Sequence, residues 1–387
     1  IVTMQPGVAP VEAGVIVVED GRITCVGRAP DAPGAVPVCK LPADVKLYDV
    51  AGATVTPGLI EVDSAVGLVE VSMEPSSTDG IAGRRSVAAE VRAADGVRLA
   101  SRAVDAARWG GVTTVVVAPL GAALVAGQGV AYHTSGKVID DAWIANPSSM
   151  HVHLGERAKK KGRPLVGSHS GQIALLRTTL LRAAELAAAP AKAGDDELAR
   201  MRRDPSLLAL LPVVGGTLPL VVHADRAGDI AAALRLRVEF GLQLVIVGGA
   251  EAWVVADRLA EAGVPVVLSP VAARPYTFQT ALARDDAAVV LHAAGVRLGI
   301  ATGSSHNARN LRWAAGLAVA YGLPHDVALA AITRAPAEFL GLADRTGQIA
   351  VGRVAELVAF DGDPLRLGSH VVLVAVGRRV EVRPRQR

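Results

Sequence analysis

Short apolar runs alternate with amphipathic stretches through the middle of the chain. The runs end in Gly, Pro or polar residues, at 56–62, 112–119, 218–223, 242–248, 265–270 and 297–302. Stretches rich in Ala, Leu and Arg follow most of them, at 98–108, 173–189, 229–240, 252–262, 285–294, 310–321 and 324–333. Continuous apolar strands that alternate with helices predict a parallel sheet that is covered on both faces.

Both ends of the chain show a different pattern, which is rich in predicted strands. Two apolar segments flank Asp20-Gly21, which predicts a strand, a tight turn and a second strand. Another strand is predicted near residues 45–50, and further strand-like segments follow from Leu357 to the C-terminus. If strands from the two ends pair, they form one small β-sandwich composed of residues 1–56 and 343–387.

The region between the two ends has the size of one (β/α)8 barrel with insertions. We therefore predict an α/β fold in which a TIM-like (β/α)8 barrel, residues 57–342, is flanked by the composite β-sandwich. Residues 73–92 and 190–205 interrupt the alternation, because they are rich in polar residues, Gly and Pro. Both stretches are predicted to be long loops.

Composition excludes several classes of protein. Hydrophobic residues make up 51% and charged residues 20%, so the chain can bury a core and is not disordered. The net charge of +3 and the 3% of aromatic residues argue against a nucleic-acid partner. No apolar run reaches the roughly 18–20 residues of a membrane span, so no span is expected.

The two cysteines leave the cellular compartment open. Cys25 and Cys39 lie in consecutive strand-like segments. They form either a disulfide, which is typical of exported proteins, or two buried thiols. The sequence begins at Ile1 rather than Met, so a removed signal peptide is also compatible with it. Cytoplasmic and exported locations therefore both remain open.

Several segments resemble one enzyme family, in the same order along nearly the whole chain. Thr56-Pro-Gly-Leu-Ile-Glu-Val-Asp-Ser-Ala resembles the Pro-Gly-Leu-Ile-Asp-x-His-x-His motif of the amidohydrolase superfamily, in its imidazolonepropionase-like branch. Further similar segments lie at 16–26, 111–119, 221–230, 306–312, 332–341 and 347–364. The resemblance implies a distorted barrel beside a β-sandwich and, for most members, metal-dependent hydrolysis of C–N bonds.

The resemblance also implies that most of the family's metal site is missing here. The two histidines of the first motif are replaced by Asp63 and Ala65. The histidine of a Glu-His-Gly motif is replaced by Gly248, and the catalytic Asp by Gly303. Replacements in three separately aligned motifs predict a degenerate metal site. Loss of the general acid or base alone costs roughly 10²–10⁴-fold in rate.

His223, Glu156 and Asp63 are the residual candidates for metal ligands. His223 ends an apolar strand and matches a family ligand, while Glu156 matches a Gly-Glu element near the family's metal. A catalytic zinc site uses three protein ligands and an open position, a number that these three residues would supply. We predict no cofactor, with one zinc or similar divalent ion as the alternative.

A second group of histidines is predicted to line a pocket. His151 and His153 form a His-x-His pair, and both point to one face if residues 150–154 are a strand. Together with His169 they would offer a displaced metal site, or else they are ordinary polar residues of the barrel mouth. The predicted pocket residues are His133, His151, His153, His169, Gly303 and His306.

Two functions from different classes follow from these observations. The first is a non-catalytic amidohydrolase-like protein, a pseudoenzyme, that binds a small molecule or takes part in a protein assembly such as a homo-oligomer. The second is an active hydrolase of amide or cyclic amide bonds with a reduced single-metal site. The segments that resemble the family's fold are present, whereas the metal-ligand motifs are not. This favours the non-catalytic protein.

Overall fold

The N-terminal hairpin forms as its sequence predicts. The computed structural model describes residues 1–28, 37–50, 52–81, 85–159, 166–190, 196–270 and 274–383. Strands β1 (Gly14–Glu19) and β2 (Arg22–Arg28) pair antiparallel around Asp20-Gly21, where both residues have positive φ. Cys25 and Cys39 form a disulfide, which decides between the two alternatives above. The strand predicted near 45–50 is wrong, because this segment is mostly exposed and has no strand conformation.

A four-stranded antiparallel sheet joins the two ends of the chain. Its strands are β3 (Thr54–Pro57), β12 (Glu356–Phe360), β13 (Val371–Val376) and β14 (Arg379–Val382), in the order β14-β13-β12-β3. Ile23 of the hairpin shares an apolar core with Leu357 and Val372 of this sheet. The sheet and the hairpin therefore pack as one β-rich layer.

The central sheet has eight strands in chain order, β11 to β4. They are β4 (Leu59–Ser64), β5 (Val112–Val117), β6 (Val125–His133), β7 (Trp143–His153), β8 (Leu220–Ala224), β9 (Leu244–Gly248), β10 (Val266–Leu268) and β11 (Leu298–Ile300). Backbone bonds from Ile60 to Ile332 and from Ile300 to Ala331 fill the gap between the edge strands β4 and β11. The sheet is thus a nearly closed barrel.

One strand departs from the predicted (β/α)8 pattern. Strand β6 runs antiparallel to both β5 and β7, while the remaining neighbours pair in parallel. The connections on either side of β6 are too short to hold the crossover of a dozen or more residues that a parallel pair needs. The fold is therefore a mixed α/β barrel, in which β5, β6 and β7 form a meander.

Helices cover the outside of the barrel. They are α1 (Arg102–Trp109), α2 (His169–Ala188), α3 (Asp196–Met201), α4 (Pro205–Val214), α5 (Ala227–Phe240), α6 (Ala256–Glu261), α7 (Ala287–Ala293), α8 (Leu311–Ala320), α9 (His325–Ala330) and α10 (Arg334–Phe339). Helix α3 lies within 190–205, where only a loop was predicted. None of the described helices combines the length and the apolar character needed to cross a bilayer.

Alternate strand residues face two different cores. Val221, Val245 and Val247 pack inside the barrel, whereas Val222 and Ile246 pack between the sheet and the helices. The apolar interior gives way to polar side chains where β4, β7 and β8 end. This end of the barrel, called the mouth below, is where barrel enzymes place their functional residues.

Candidate site at the barrel mouth

Three histidines meet at the ends of two neighbouring strands. Parallel pairing of β7 with β8 places His153 beside His223, and His151 lies one pleat away on the same strand. His151 Nδ1 lies 3.1 Å from His223 Nε2. The ring of His153 meets that of His223 edge to face at 4.6 Å between centroids. The structure therefore brings together His151, His153 and His223, three of the predicted site residues.

Four ring nitrogens of this histidine cluster have hydrogen-bond partners. Ser149 Oγ lies 2.8 Å from His151 Nε2, so both nitrogens of His151 have partners. His153 Nδ1 donates to the carbonyl of Ala123 over 3.2 Å. The second nitrogen of His223, Nδ1, lies 3.9 Å from Asp63 Oδ1. Hydrogen bonds among Ser149, His151 and His223, and from His153 to the backbone, therefore hold the cluster in place.

Burial keeps these histidines neutral. It lowers the pKa of His223 to about 3, and the positive charge of Arg157 adds to the effect. Burial also holds the pKa of His151 and His153 well below the ordinary value, assisted by the proximity of His223 and Arg157. At neutral pH each ring therefore offers one donor and one acceptor and carries no charge.

Strand β4 carries two carboxylates, Asp63 and Glu61, and burial raises the pKa of both. Burial raises the pKa of Asp63, although Arg157 opposes the shift. Glu61 is fully buried and accepts hydrogen bonds from the backbone of Asp63 (3.0 Å) and from the hydroxyl of Thr302 (2.6 Å). Burial nevertheless raises the pKa of Glu61 to about 8. Sequence reasoning missed Glu61, whose only signal is a carboxylate inside the apolar run 56–62.

A hydrogen-bonded pair closes the next part of the mouth. Asp225 follows β8 and accepts bonds from Gln279 Nε2 (2.9 Å) and from the backbone of Ala250 (3.3 Å). Gln279 Oε1 accepts a bond from the backbone of Glu156 over 2.6 Å. Burial raises the pKa of Asp225, although these bonds oppose the shift. Neither was predicted as a site residue: Asp225 lies in the family-like segment 221–230 but was given no role there, and Gln279 lies outside every such segment.

The two glycines that replace family residues have different surroundings. Gly248 has a φ of +97°, and a Cβ there would lie 2.6 Å from Asp225 Oδ1. Gly303 has a φ of +65°, and a Cβ there would lie 3.5 Å from Ser269 Oγ and 3.9 Å from Asp63 Oδ2. The space at 248 is therefore filled by Asp225, whereas a Cβ at 303 would make ordinary van der Waals contacts with Ser269 and Asp63.

The remaining predicted residues lie outside the histidine cluster. The side chain of Glu156 is exposed, and only its backbone takes part in the mouth. His169 begins α2, with Nδ1 2.8 Å from Asp229 Oδ1 at the start of α5. His306 is exposed and lies 3.1 Å from Arg309.

His133 lies at the opposite end of the barrel. Because β6 is antiparallel, its last residue sits beside Thr114 near the start of β5. His133 Nδ1 there lies 3.1 Å from Glu356 Oε1. This position corrects the expectation that His133 lines the same pocket as His151.

Two surface clefts among the described residues lie away from the mouth. Two clefts of about 520 and 570 Å³ share Trp143 and Asn146, at the start of β7 and so at the far end of the barrel from His151. Neither cleft contains a predicted site residue. The mouth is therefore identified by its converging polar side chains and not by the volume of a cavity.

The residues of the mouth do not fit the metal that the resemblance implies. Within the described ranges, no three His, Cys, Asp or Glu side chains are placed to hold an ion. His151 and Asp63 face different nitrogens of the His223 ring. An ion bound between His151 and His223 at the usual 2.0–2.1 Å would therefore lie on the side of the ring away from Asp63. Three ligands do not converge.

Comparison with known proteins gives the wider context of this fold. The amidohydrolase family model matches residues 234–382. The chain is 25% identical over 390 residues to amidohydrolase tasK of Hapsidospora irregularis, a match that covers 93% of this chain and 39% of that protein. The chain thus spans about two fifths of the length of that relative.

Solved structures agree with this family match. A crystal structure of an amidohydrolase from Thermotoga maritima MSB8 is similar over 95% of both chains, with 26% identity and a TM-score of 0.83. A prolidase complexed with N-methylphosphonate-L-proline is similar over 95% of this chain and 94% of its own, with 18% identity and a TM-score of 0.57. The second likeness concerns the fold alone. The matches show similarity to the amidohydrolase family model over residues 234–382 and a fold shared with the amidohydrolase from Thermotoga maritima.

Proposed function

We propose that this chain is a non-catalytic amidohydrolase-like protein, of the imidazolonepropionase-like branch, that binds a small polar ligand at the barrel mouth. One observation carries the proposal. His223, which matches a family ligand, turns its two nitrogens to His151 and Asp63, so no three-ligand site forms among the described residues. A barrel can keep its pocket while it loses its chemistry, because function resides in the site and not in the fold.

The missing acid or base supports the same proposal. The position of the family's catalytic Asp is Gly303, and the nearest side-chain carboxylate is that of Asp63, 3.9 Å from where a Cβ would lie. The carboxylate of Glu61 is hydrogen-bonded to Thr302 and enclosed by the strand backbone, so it does not take the place of a catalytic side chain at position 303. A positioned group that moves the proton of an attacking water is therefore absent from position 303.

The charges at the mouth define the class of ligand. The three histidines are neutral, and the guanidinium of Arg157 is close enough to lower their pKa. Its Nε donates to the carbonyl of Gly121 over 3.1 Å, which anchors the side chain at the rim. Neutral donors and acceptors beside a cation suit an uncharged or anionic polar molecule, such as a cyclic amide.

Metal content and turnover test this proposal together. The wild type, His223→Ala and the control His306→Ala, an exposed histidine, are purified without added metal and analysed for zinc, iron and manganese. The cyclic amide hydantoin serves as the probe, for binding by thermal shift and for hydrolysis. We expect all three proteins to contain less than a tenth of a metal ion per chain and to show no hydrolysis of hydantoin. Hydantoin should raise the melting temperature of the wild type and of His306→Ala but not that of His223→Ala.

A reduced single-metal hydrolase is the alternative function. The 3.1 Å between His151 Nδ1 and His223 Nε2 favours it, because two ligands of one ion can lie that close. Stoichiometric metal in the wild type, with hydrolysis that both His151→Ala and His223→Ala abolish, would establish this alternative. A role in protein assembly is tested independently of ligand binding. Monomeric behaviour at micromolar concentration in size-exclusion chromatography would argue against that role.

A further inference from the structure

Four consecutive loops of the mouth meet at one pair of side chains. Asp225 follows β8, Ala250 follows β9, Gln279 lies beyond β10, and Glu156 follows β7. Asp225 accepts bonds from Ala250 and Gln279, and Gln279 accepts a bond from Glu156. Gln279 is only 8% exposed, although the residues from Arg274 to Phe278 before it are exposed. The pair thus connects every loop from β7 to β10.

Two glycines make room for this pair. A Cβ at Gly248 would lie 2.6 Å from Asp225 Oδ1, and a Cβ at Gly155 would collide with the side chain of Gln279. Both glycines also have positive φ, +97° and +90°. Since Gly248 is the position where the family resemblance implies a metal ligand, the carboxylate of Asp225 fills space that a ligand side chain would need.

Among the described residues, the two aromatic side chains of segment 274–282 do not pack against the barrel. Tyr276 is 81% exposed and Phe278 is 94% exposed, so their apolar surface is not buried against the mouth. The far end is held by Trp253, whose Nε1 donates to the carbonyl of Leu282 over 3.1 Å. Gln279 is the buried anchor between these points.

We propose that Asp225 and Gln279 form a metal-independent cross-link that fixes the loops of the barrel mouth. In a metal site, ligands from several strands are held by their common ion. Here one carboxylate and one primary amide connect the same kind of loops by hydrogen bonds. This cross-link determines how rigidly the loops of the mouth are held, and it does not depend on the proposed ligand binding.

Hydrogen exchange followed by mass spectrometry tests the cross-link on the whole chain. Gln279→Ala removes both side-chain bonds, so we expect backbone amides of 274–282 to exchange at least tenfold faster. Gln243→Ala is the matched control, because Gln243 donates to the carbonyl of Gly216 at the opposite end of the barrel. It should leave 274–282 unchanged, and strand β13 should exchange at the wild-type rate in both variants.

Exchanging the carboxylate and the amide between positions 225 and 279 distinguishes loss of the cross-link from general destabilisation. Asp225→Asn alone leaves one side-chain acceptor for two donors, the Ala250 backbone and Gln279 Nε2. Gln279→Glu alone sets two carboxyl groups 2.9 Å apart. The double variant Asp225→Asn with Gln279→Glu restores a donor and an acceptor at both sites. We expect each single variant to speed exchange of 274–282 and the double variant to return it to within threefold of the wild type.

Two results would overturn the inference. One is wild-type exchange of 274–282 in Gln279→Ala, which would show that other contacts hold the segment. The other is faster exchange of this segment in the wild type after treatment with EDTA, which would show that a metal ion orders the mouth. Failure of the ligand proposal would leave both measurements unchanged, so the two proposals are tested separately.

Discussion

Glu61 shows how a single buried carboxylate can set the pH dependence of stability. Its pKa is raised to about 8 by burial, whereas an exposed Glu titrates near 4.3. Between these values the folded state binds the proton and the unfolded state releases it, so stability falls as pH rises. A proton on Oε2 has an acceptor in Thr302 Oγ1, which in turn donates to the carbonyl of Ser304.

We therefore expect the free energy of unfolding to fall by a few kcal/mol from pH 5 to pH 8 through this residue. Glu61→Gln should flatten that slope, whatever it does to the absolute stability, because the amide does not titrate. Denaturant unfolding at several pH values measures the effect. Glu239→Gln, at an exposed glutamate paired with Arg177, should keep the wild-type slope, and an unchanged slope in Glu61→Gln would contradict the argument.

Gly248 and Gly228 provide a second comparison between single residues. Ala at 248 would adopt an unfavourable φ of +97° and press its Cβ against Asp225. We expect Gly248→Ala to lower the free energy of unfolding by about 2 kcal/mol or more. Gly228 lies in α5 with nothing near its Cβ position, so Gly228→Ala should be neutral or stabilise by up to about 1 kcal/mol. Equal effects in thermal denaturation would refute the steric account.

At the scale of elements, the sequence predicted what depends on local pattern. The Asp20-Gly21 turn fixes the hairpin, and continuous apolar runs mark β8 and β9. The direction of β6 was not predicted, because direction depends on the length of the connections and not on the residues within the strand. Because the direction of β6 was not predicted, the position of His133 was also wrong: the residue lies at the end of this antiparallel strand, at the far end of the barrel.

The site was predicted where one strand alone places the residues. His151 and His153 share a face because they are two apart on β7. Asp225 and Gln279 were not foreseen, since they meet only through the packing of distant loops. Glu61 was missed because burial, which raises its pKa, depends on the neighbouring segment around Thr302 and Ile332.

The disulfide is the covalent link of the N-terminal element. Cys25 of β2 is joined to Cys39, 14 residues further along the chain. Closing a loop of that size stabilises a fold by about 3 kcal/mol in the chain-entropy model. We expect Cys25→Ser with Cys39→Ser to lose about that free energy of unfolding. Dithiothreitol should destabilise the wild type and leave the double variant unaffected, and an equal effect on both would contradict the link.

At the scale of the whole molecule, one buried cluster joins the barrel to the four-stranded sheet. Glu356 of β12 accepts hydrogen bonds from Thr114 of β5 (2.6 Å) and from Thr346 (2.5 Å), and His133 of β6 lies 3.1 Å away. Burial alone would raise the pKa of Glu356, but His133 and the hydroxyl donors outweigh it and lower the pKa. The carboxylate is thus ionised and fully satisfied at the joint between barrel and sheet.

The sign of this effect is opposite to that of Glu61. A lowered pKa means that Glu356 contributes stability above its unfolded pKa, near 4.3, and that the contribution is lost as pH falls through the lower folded value. Glu356→Gln should cost about 1–3 kcal/mol at pH 7, because one amide oxygen replaces the two carboxylate oxygens that accept from Thr114 and Thr346. It should also remove part of the acid sensitivity below pH 4.5. Unfolding curves at pH 3.5, 5 and 7 measure both effects, and a variant that loses stability in acid as steeply as the wild type would show that the joint is held by packing alone.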